Sequence, residues 1–214
     1  EVIVNFSLLY AYAPLLKEEE KKYENFSKSI RRRAATIGGH NMDDYPLKMS
    51  VFNRARLIKN SKNRIPYGVN LIQKHKRESW IVFTENKKQA NEFNKIINTK
   101  GFKSALYNTD LDSAERLENL NRFKKADLNV LVTCTALDEG FDMPEADGAL
   151  ILSASSSKRQ RVQRMGRVLR ITENKPNALI VTVYSSKTEF DKLMEEAKRY
   201  HKEGVPVSWK RQDR

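Results

Sequence analysis

The sequence predicts a three-layer α/β domain whose centre is a parallel β-sheet. From residue 79 onward, short apolar runs rich in β-branched residues alternate with longer helical patterns. The runs are WIVFT (80–84), KSALY (103–107), NVLVT (129–133), GALIL (148–152) and ALIVTVY (178–184). They are continuously apolar rather than alternating, which is typical of strands that are covered on both faces. Repeated strand–helix units require right-handed crossovers, and these give a parallel sheet with helices on both sides.

Helical patterns occupy the stretches around these runs. They lie at residues 86–98, 113–125, 156–170 and 187–202. The second has an apolar stripe that we expect to face the sheet, and it consists of Leu117, Leu120 and Phe123. Ser186 with Glu189 makes a capping-box pattern before the last helix. Asp112 with Glu115 makes a similar pattern before the second helix, so both helix starts are well marked.

Residues 1–78 show a different pattern, with two or three helices and little strand character after an apolar opening stretch. We expect a helical appendage here that links to a preceding domain, then a core domain over 79–203 and a tail over 204–214. The chain does not begin with Met, and Val2–Val4 has a strand pattern, so we expect a piece of a longer polypeptide. Three arginines at 31–33 end the first helix, where they either complement the helix dipole or form a nucleic-acid patch.

The composition favours a polyanionic partner. Lys and Arg total 40 against 27 Asp and Glu, which gives a formal net charge of +13. Nucleic acid is the commonest partner of such a surplus. The single cysteine cannot form an internal disulfide, and no Cys/His cluster has metal-ligand spacing, so we expect neither redox chemistry nor a metal site. The sequence has no bilayer-spanning apolar run and no signal-peptide pattern, so we expect a cytoplasmic protein of prokaryotic or phage type without a membrane partner.

The segment VLVTCTALDEGFDMPEAD (130–147) places polar residues directly after an apolar strand. Ligands of open parallel sheets bind at the carboxyl ends of the strands. A phosphate or nucleotide would therefore meet a set of residues in this segment, namely Thr133, Cys134, Thr135, Gly140 and Asp142. An ordinary exit from a strand through a glycine turn has the same pattern, so this segment alone leaves both interpretations open.

The segment QRVQRMGRVLR forms an amphipathic helix on a helical wheel. Its apolar arc consists of Val162, Met165 and Leu169. Gln163, Arg167 and Arg170 lie together beside that arc, whereas Arg161 and Arg164 point further round the helix. Arginine rather than lysine is the residue that a bidentate phosphate contact requires. The segment is therefore either a phosphate-handling edge or a solvated basic face.

Four segments together resemble a known family. QRMGRVLR resembles motif VI of superfamily 2 helicases, Q-R-x-G-R-x-x-R, and VLVTCTALDEGFDMPEAD resembles their motif V. Upstream, SWIVFTENKKQANEF is similar to motif IV, and YNTDLDSAERLENLNRFKK is similar to the segment that precedes motif V. The order matches over about residues 79–184. The long GFDMP loop combined with QRxGRVLR resembles the XPB or type III restriction branch rather than the DEAD-box branch.

The resemblance implies a C-terminal RecA-like domain, which has the P-loop NTPase fold without a P-loop of its own. In this family, ATP with Mg²⁺ is bound mainly by an N-terminal RecA-like domain of the same polypeptide, and motif VI arginines reach its γ-phosphate. By position these are Arg167 and Arg170, with Gln163 beside them as the third catalytic candidate. Gly140 and Asp142 of motif V would contact the nucleotide and couple it to nucleic acid.

The resemblance also implies contacts to nucleic acid, and we expect DNA in preference to RNA. Thr84, Thr133 and Thr135 stand at strand ends near helix amino termini, where they would contact backbone phosphates. Arg164 is the fourth candidate for such a contact. The family's usual motif V threonine aligns with Cys134, so the neighbouring Thr135 is the expected substitute.

Two ATPase motifs are absent from the sequence. It has no GxxxxGK[ST], and Asp138–Glu139 lies inside motif V rather than on a Mg²⁺-binding Walker B strand. We expect the C-terminal motor domain of an ATP-dependent DNA or RNA helicase or translocase, unable to hydrolyse ATP alone. The alternatives are the motor subunit of a restriction enzyme and a catalytically inactive nucleic-acid-binding scaffold. A nucleotide-dependent dehydrogenase would need a GxGxxG that the sequence lacks.

Overall fold

The computed structural model of the protein describes residues 6–134, 146–153 and 178–210. Within these ranges the strands are β1 (Phe6–Tyr12), β2 (Trp80–Thr84), β3 (Ser104–Tyr107), β4 (Val130–Cys134), β5 (Gly148–Ile151), β6 (Ala178–Tyr184) and β7 (Val207–Lys210). The helices in the same ranges are α1 (Lys17–Thr36), α2 (Tyr45–Lys59), α3 (Arg64–Lys74), α4 (Lys87–Thr99), α5 (Ser113–Lys124) and α6 (Lys187–Lys202). The helix predicted over 156–170 lies outside the described residues.

The described strands form a single seven-stranded sheet in the order β3-β4-β2-β5-β6-β1-β7. Every pairing among them is parallel. The predicted α/β class and parallel sheet are therefore confirmed, and the strand predicted over 178–184 is matched residue for residue. The strand centres are apolar on both faces because helices cover both sides of the sheet.

Two apolar cores lie on opposite faces of the sheet, so the domain has three layers. One face packs against α3 and α4, and Trp80 and Val82 of β2 point into it. The other face packs against α5 and α6, and Ile81 and Phe83 of the same strand point there. The predicted stripe of α5 is only partly correct, because Leu117 is 57% exposed, although the other two residues of the stripe are buried.

Gly148 allows β2 and β5 to pair closely beside a large ring. A Cβ atom at this position would lie 2.6–2.7 Å from three ring atoms of Trp80, whose side chain is fully buried. Residues 148 and 80 are direct partners in the parallel ladder. Any side chain at 148 would force the indole out of a close-packed core, which is costly.

The first and last described strands belong to the same sheet as the rest. β1 pairs with β6 on one side and with β7 on the other. Within the first 78 residues, α3 also contributes to a core, through Ile65, Val69 and Ile72. The division into an appendage, a core domain and a tail stays a prediction, and the structure adds that both flanking regions contribute strands.

Helices α1 and α2 pack against each other and are joined by a short connection, and we call this pair the α1–α2 hairpin. Arg33 of α1 binds both carboxylate oxygens of Asp44, at 2.5–3.0 Å, and Asp44 also caps α2 by accepting from the N–H of Leu47 at 2.9 Å. Hydrogen bonds from Arg33 and from the Leu47 amide lower the pKa of Asp44 below its usual value. One carboxylate thus closes the connection between the two helices.

No helix within the described ranges has the length and apolar character that crossing a membrane requires.

Removal of residues 1–78 should unfold the rest of the chain. The shortened chain would lose β1 and so expose one edge of β6, whose residues are all buried. Exposed apolar strand edges favour aggregation. Circular dichroism and size-exclusion chromatography of residues 79–214 beside the full chain would check this. A soluble, cooperatively folding 79–214 would contradict it and would support the predicted boundary.

His75, at the end of α3, should make the fold less stable in mild acid. Its Nε2 atom is buried, and no hydrogen-bond partner for it is present in the described part of the chain. Burial, followed by the positive charges of Lys210, Arg77 and Lys74, lowers the pKa of His75 below its usual value. The unfolded chain therefore takes up this proton first, and stability falls as the pH drops through about 6.5.

Urea denaturation of the wild type and of His75→Gln at several pH values would measure this effect. The wild type should lose more stability between neutral and mildly acidic pH than the variant does. Identical pH profiles would show that His75 titrates alike in the folded and unfolded chains.

Candidate functional site at the carboxyl edge of the sheet

The predicted site residues that the structure describes lie where parallel strands end. We use the name carboxyl edge for the ends of β2, β4, β5 and β6. Thr84 is the last residue of β2, and it pairs in register with Cys134, the last residue of β4. Because all these strands are parallel, their carboxyl ends meet at this one edge. The spatial arrangement predicted for motifs IV and V is thus present in the strands that carry them.

The hydroxyl groups of Thr84 and Thr133 bind the protein's own backbone. The Thr84 Oγ1 atom donates to the carbonyl oxygens of Asn86 and Thr133, both at 3.1 Å, and the Thr133 Oγ1 atom donates to that of Cys134 at 3.2 Å. Thr84 is 1% exposed and Thr133 is fully buried. In this structure the Thr84 side chain ties the end of β2 to the end of β4, whereas the Thr133 side chain bonds within β4. Contact of either side chain with a phosphate stays a prediction.

The other predicted site residues lie outside the described residues. These are Thr135, Gly140 and Asp142 of the motif V segment, and Gln163, Arg164, Arg167 and Arg170 of the motif VI segment. Both segments come after strands that end at the carboxyl edge. Residue 135 is next to Cys134 of β4, and residue 154 is next to Ser153, two residues beyond the end of β5. The described chain thus reaches the carboxyl edge on the amino-terminal side of both segments, and the site residues within them stay predictions.

The start of α4, in the motif IV segment, is fastened to the end of α2. Asn86 caps α4 by accepting from the N–H of Gln89 at 3.0 Å. The Gln89 amide accepts from the N–H of Glu85 at 3.0 Å and donates to the carbonyl of Lys59 at 2.8 Å. Lys59 also forms an ion pair of 2.6 Å with Glu85, and Asn86 donates to the side chain of Asn60. The carboxyl edge and the base of the α1–α2 hairpin are thus joined by side chains.

Arg64 is the central polar residue of this edge, and none of the sequence motifs includes it. Its side chain is fully buried. It forms a bidentate pair with Glu189 at 2.6 and 2.7 Å and donates to three backbone carbonyls. One signal was available, because Arg64 occupies the apolar stripe of α3 with Gly68 and Leu71, where an arginine must find buried partners.

The Arg64 pair also changes the capping box predicted at α6. Ser186 caps the helix by accepting from the N–H of Glu189 at 3.3 Å, as predicted. The Glu189 carboxylate, however, accepts from the N–H of Ser185 at 2.8 Å and from Arg64, rather than from the N–H of Ser186. Asp112 caps α5 as predicted, accepting from the N–H of Glu115 at 2.8 Å.

A basic concave surface lies along one side of α1. It is lined by Asn25, Lys28, Ser29, Arg32, Arg33 and Thr36. Arg33 is committed to Asp44, whereas Lys28 and Arg32 are exposed. The ion pair of Arg33 with Asp44 is a third role, which neither interpretation of the arginines at 31–33 included. Arg32 adds positive charge to a surface that suits a polyanion, and the choice between helix dipole and nucleic-acid patch stays open.

Comparison with known proteins agrees with the arrangement of this edge. Residues 63–172 match the family described as helicase conserved C-terminal domain. The chain belongs to this family. The match begins at the residue before Arg64 and includes the motif IV, V and VI segments. The match to the helicase C-terminal domain family therefore covers strands β2 to β5. It also covers the motif V segment after β4 and the motif VI segment after β5.

Relatives of this helicase C-terminal domain include DNA and RNA enzymes by name. DNA 3'-5' translocase XPB2 of Sulfurisphaera tokodaii is 28% identical over 202 residues, which is 87% of this chain and 44% of that protein. UvrABC system protein B of Fusobacterium nucleatum is 30% identical over 125 residues, 55% of this chain and 19% of that protein. ATP-dependent rRNA helicase RRP3 of Scheffersomyces stipitis is 25% identical over 118 residues, 55% of this chain and 24% of that protein. The chain spans less than half the length of these relatives.

Solved structures confirm the RecA-like fold of the helicase C-terminal domain. The C-terminal domain of the DEAD-box protein Dbp5 has a TM-score of 0.61 at 20% identity, covering 71% of this chain and 85% of that one. The E. coli DEAD-box protein SrmB bound to regulator of ribonuclease activity A has a TM-score of 0.60 at 14% identity, covering 97% and 91%.

The described part of the helicase C-terminal domain has no group of three or more His, Cys, Asp or Glu placed to hold a metal ion. The whole sequence also lacks the GxxxxGK[ST] loop that would wrap the β- and γ-phosphates. The described strands β4 and β5 set where the chain leaves the sheet before residues 135 and 154.

Thr84→Val should separate the observed role of this threonine from the predicted one. The variant removes a buried hydroxyl that bonds the carbonyls of Asn86 and Thr133, so the free energy of unfolding should fall by about 0.5–1.5 kcal/mol. Thr99→Val is the matched control, since its hydroxyl bonds the carbonyl of Ile96 at the exposed end of α4. Urea denaturation would compare the two variants.

An unchanged stability of Thr84→Val, combined with weaker binding to an oligonucleotide, would contradict the backbone-tying role. It would favour direct phosphate contact by Thr84 instead.

Proposed function

We propose that this chain is the C-terminal motor domain of an ATP-dependent helicase or translocase of superfamily 2, of the XPB-type branch. The observation that carries the proposal is the common edge of the sheet. Strand β2 of the motif IV segment, β4 before the motif V segment and β5 before the motif VI segment all end there. Family membership and the similarity to XPB2 over most of the chain support it.

The motif VI arginines are proposed to act on ATP that another domain binds. Arg167 and Arg170, with Gln163 beside them, would stabilise the charge that develops on the transferred phosphoryl group. Such arginines contribute about 10³–10⁵ in rate, because the charge they neutralise appears in the transition state. Gly140 and Asp142 of motif V would contact the nucleotide and couple it to the nucleic acid. ATP supplies the phosphoryl group when it is bound with Mg²⁺.

Nucleic acid is the proposed partner of the exposed basic surface, and DNA is preferred. The formal charge of +13 and the basic concave surface of α1 support a polyanion. Thr84, Thr133, Thr135 and Arg164 are the proposed backbone contacts at the carboxyl edge. The preference for DNA rests on XPB2, a DNA 3'-5' translocase by name that matches most of the chain, although other relatives are RNA helicases by name.

The domain organisation completes the proposal. An N-terminal RecA-like domain of the same polypeptide would hold MgATP, with residues 1–78 leading from it into the sheet through β1. Residues 79–203 would carry the motor motifs, and the tail over 204–214 would add β7. The chain alone would be inactive because it lacks both Walker motifs. A cytoplasmic location, in a prokaryote or phage, is proposed as well.

Arg167→Ala and Arg170→Ala should each abolish ATP turnover in a protein that joins this chain to its proposed P-loop domain. The loss should reach about 10³-fold or more, whereas nucleic-acid affinity should stay nearly unchanged. Steady-state ATPase rates and fluorescence anisotropy with a labelled duplex would measure the two quantities. Arg161→Ala is the matched control, since Arg161 points away from the proposed catalytic edge on the helical wheel.

Parallel losses of turnover and affinity would instead identify a simple binding patch. Absence of a P-loop and of a DExH or DExD sequence from the natural polypeptide that contains this chain would favour the inactive scaffold. A nuclease or methylase partner would favour the restriction motor subunit. The slope of log affinity against log salt would count the phosphates that the domain engages.

A further inference from the structure

The buried guanidinium of Arg64 bonds to four separate elements of the domain. Its Nε atom donates to the carbonyl of Ile58 at 2.8 Å. Its Nη1 atom donates to the carbonyls of Leu152 and Val183, at 2.6 and 2.8 Å. Its Nη2 atom binds both carboxylate oxygens of Glu189, at 2.7 and 2.6 Å. All three guanidinium nitrogens are thereby engaged within the protein.

The partners of Arg64 belong to structures that are far apart in the sequence. Ile58 lies in the last turn of α2, the returning helix of the α1–α2 hairpin. Leu152 comes directly after β5, Val183 lies near the end of β6, and Glu189 lies in the first turn of α6. Residues 151 and 182 are partners in the parallel ladder, so Arg64 holds the next pair of residues beyond it.

The base of the hairpin is fastened on its α1 side as well. The buried carboxylate of Glu19 accepts from the N–H groups of Leu16 and Lys62, both at 3.0 Å. The Asn63 amide donates to the carbonyl of Pro14 at 2.7 Å. Both ends of the hairpin are therefore tied to the chain directly before Arg64, and Arg64 extends these ties to Leu152, beyond β5, and to Val183 of β6.

Stability alone is a weak reason for a buried ion pair here. Apolar side chains of similar volume commonly replace such pairs at equal or higher stability, because desolvation of the charges is costly. A planar guanidinium with fixed donor directions instead defines the relative orientation of its acceptors. The Arg64 contacts fit this second property, because each acceptor lies on a different element.

We infer that Arg64 is a positioning residue that holds the α1–α2 hairpin and the exit of β5 in one fixed relation. The catalytic consequence of this inference rests on the proposed function. The chain after β5 is described up to Ser153, and the proposed motif VI arginines follow it in the sequence. A load on the hairpin would reach the β5 exit through the contacts to Ile58 and Leu152. The hairpin and the carboxyl edge then move as one body.

Distance measurements on the chain itself test the fixed relation. Spin labels at Tyr45→Cys, near the hairpin tip, and at Leu117→Cys, on α5, occupy side chains that are 70% and 57% exposed. The background carries Cys134→Ala, which removes the native thiol. Electron–electron resonance should give a narrow distance distribution for this protein, because the hairpin is fixed at its base.

Arg64→Met with Glu189→Gln removes the pair without leaving a buried charge. The distance distribution should become about twofold broader, because freedom at the base is amplified along a helix of roughly 20 Å. The matched control is Lys187→Met with Asp191→Asn, which removes an exposed ion pair of the same helix α6 and should leave the distribution unchanged. An unchanged distribution in the Arg64 variant would overturn the inference.

Arg64→Lys provides a second measurement if the double variant does not fold. It keeps a charge for Glu189, but one ammonium cannot bind all four partners at once. The same broadening is expected, and a narrow distribution would again overturn the inference.

The catalytic consequence is measured separately, in the protein that contains the ATP-binding domain. Arg64→Lys should lower kcat for ATP by about tenfold to a hundredfold, as expected for small misplacement of reacting groups, with KM nearly unchanged. An unchanged kcat would overturn the catalytic part. If the unsubstituted protein had no ATPase activity, the proposed function would be wrong. The distance measurement would still test whether Arg64 positions the hairpin relative to the β5 exit.

Discussion

A guanidinium that is removed from water must direct its N–H groups to acceptors, because each unsatisfied group would carry the full cost of desolvation. At the carboxyl edge this requirement is met by one carboxylate and three backbone carbonyls around Arg64. The guanidinium of Arg64 therefore fixes several elements relative to one another. These are α3, the start of α6 and the ends of β5 and β6. The base of the α1–α2 hairpin depends on it too.

The order of strands explains why so many elements converge there. The sheet places β1 beside β6 and β7, although the hairpin, α3 and the described strands β2 to β5 separate β1 from β6 along the chain. The hairpin is therefore inserted between the first strand and the rest of the sheet, and its two ends return to the same edge. A long insertion at a sheet edge costs little closure entropy, provided that its base is held. The bonds of Glu19, Gln89 and Arg64 hold it.

The sequence was sufficient for the features that depend on local periodicity. Continuous apolar runs identified β2 to β6, and stripes with capping residues identified α4 to α6, because each signal lies within one element. The placement of β1 and β7 depends on pairing between distant residues, which periodicity does not contain. Leu117 fits the stripe of α5 but is exposed, because the helix turns only two of its three apolar residues toward the sheet.

At the candidate site, too, the sequence predicts what depends on neighbouring residues and does not predict contacts between distant ones. The strand pattern placed Thr84 and Thr133 correctly at strand ends. It could not show which carbonyl each hydroxyl would bond, and both hydroxyls bond backbone carbonyls of the protein itself. Arg64 was missed because it belongs to none of the motifs, and its place in the apolar stripe of α3 shows burial but not which groups it binds. Its partners Leu152, Val183 and Glu189 lie 88 to 125 residues away along the chain.

The neighbouring arrangement of β1 and β7 has a mechanical consequence. The two strands run parallel, so the residues before Phe6 attach at the amino end of the sheet and the residues after Lys210 attach at the opposite end. Tension between those two points would load the β1–β7 ladder in shear, with its hydrogen bonds resisting together rather than opening one by one. Two adjacent parallel strands, each near one end of the described chain, would therefore resist such tension through their whole ladder at once.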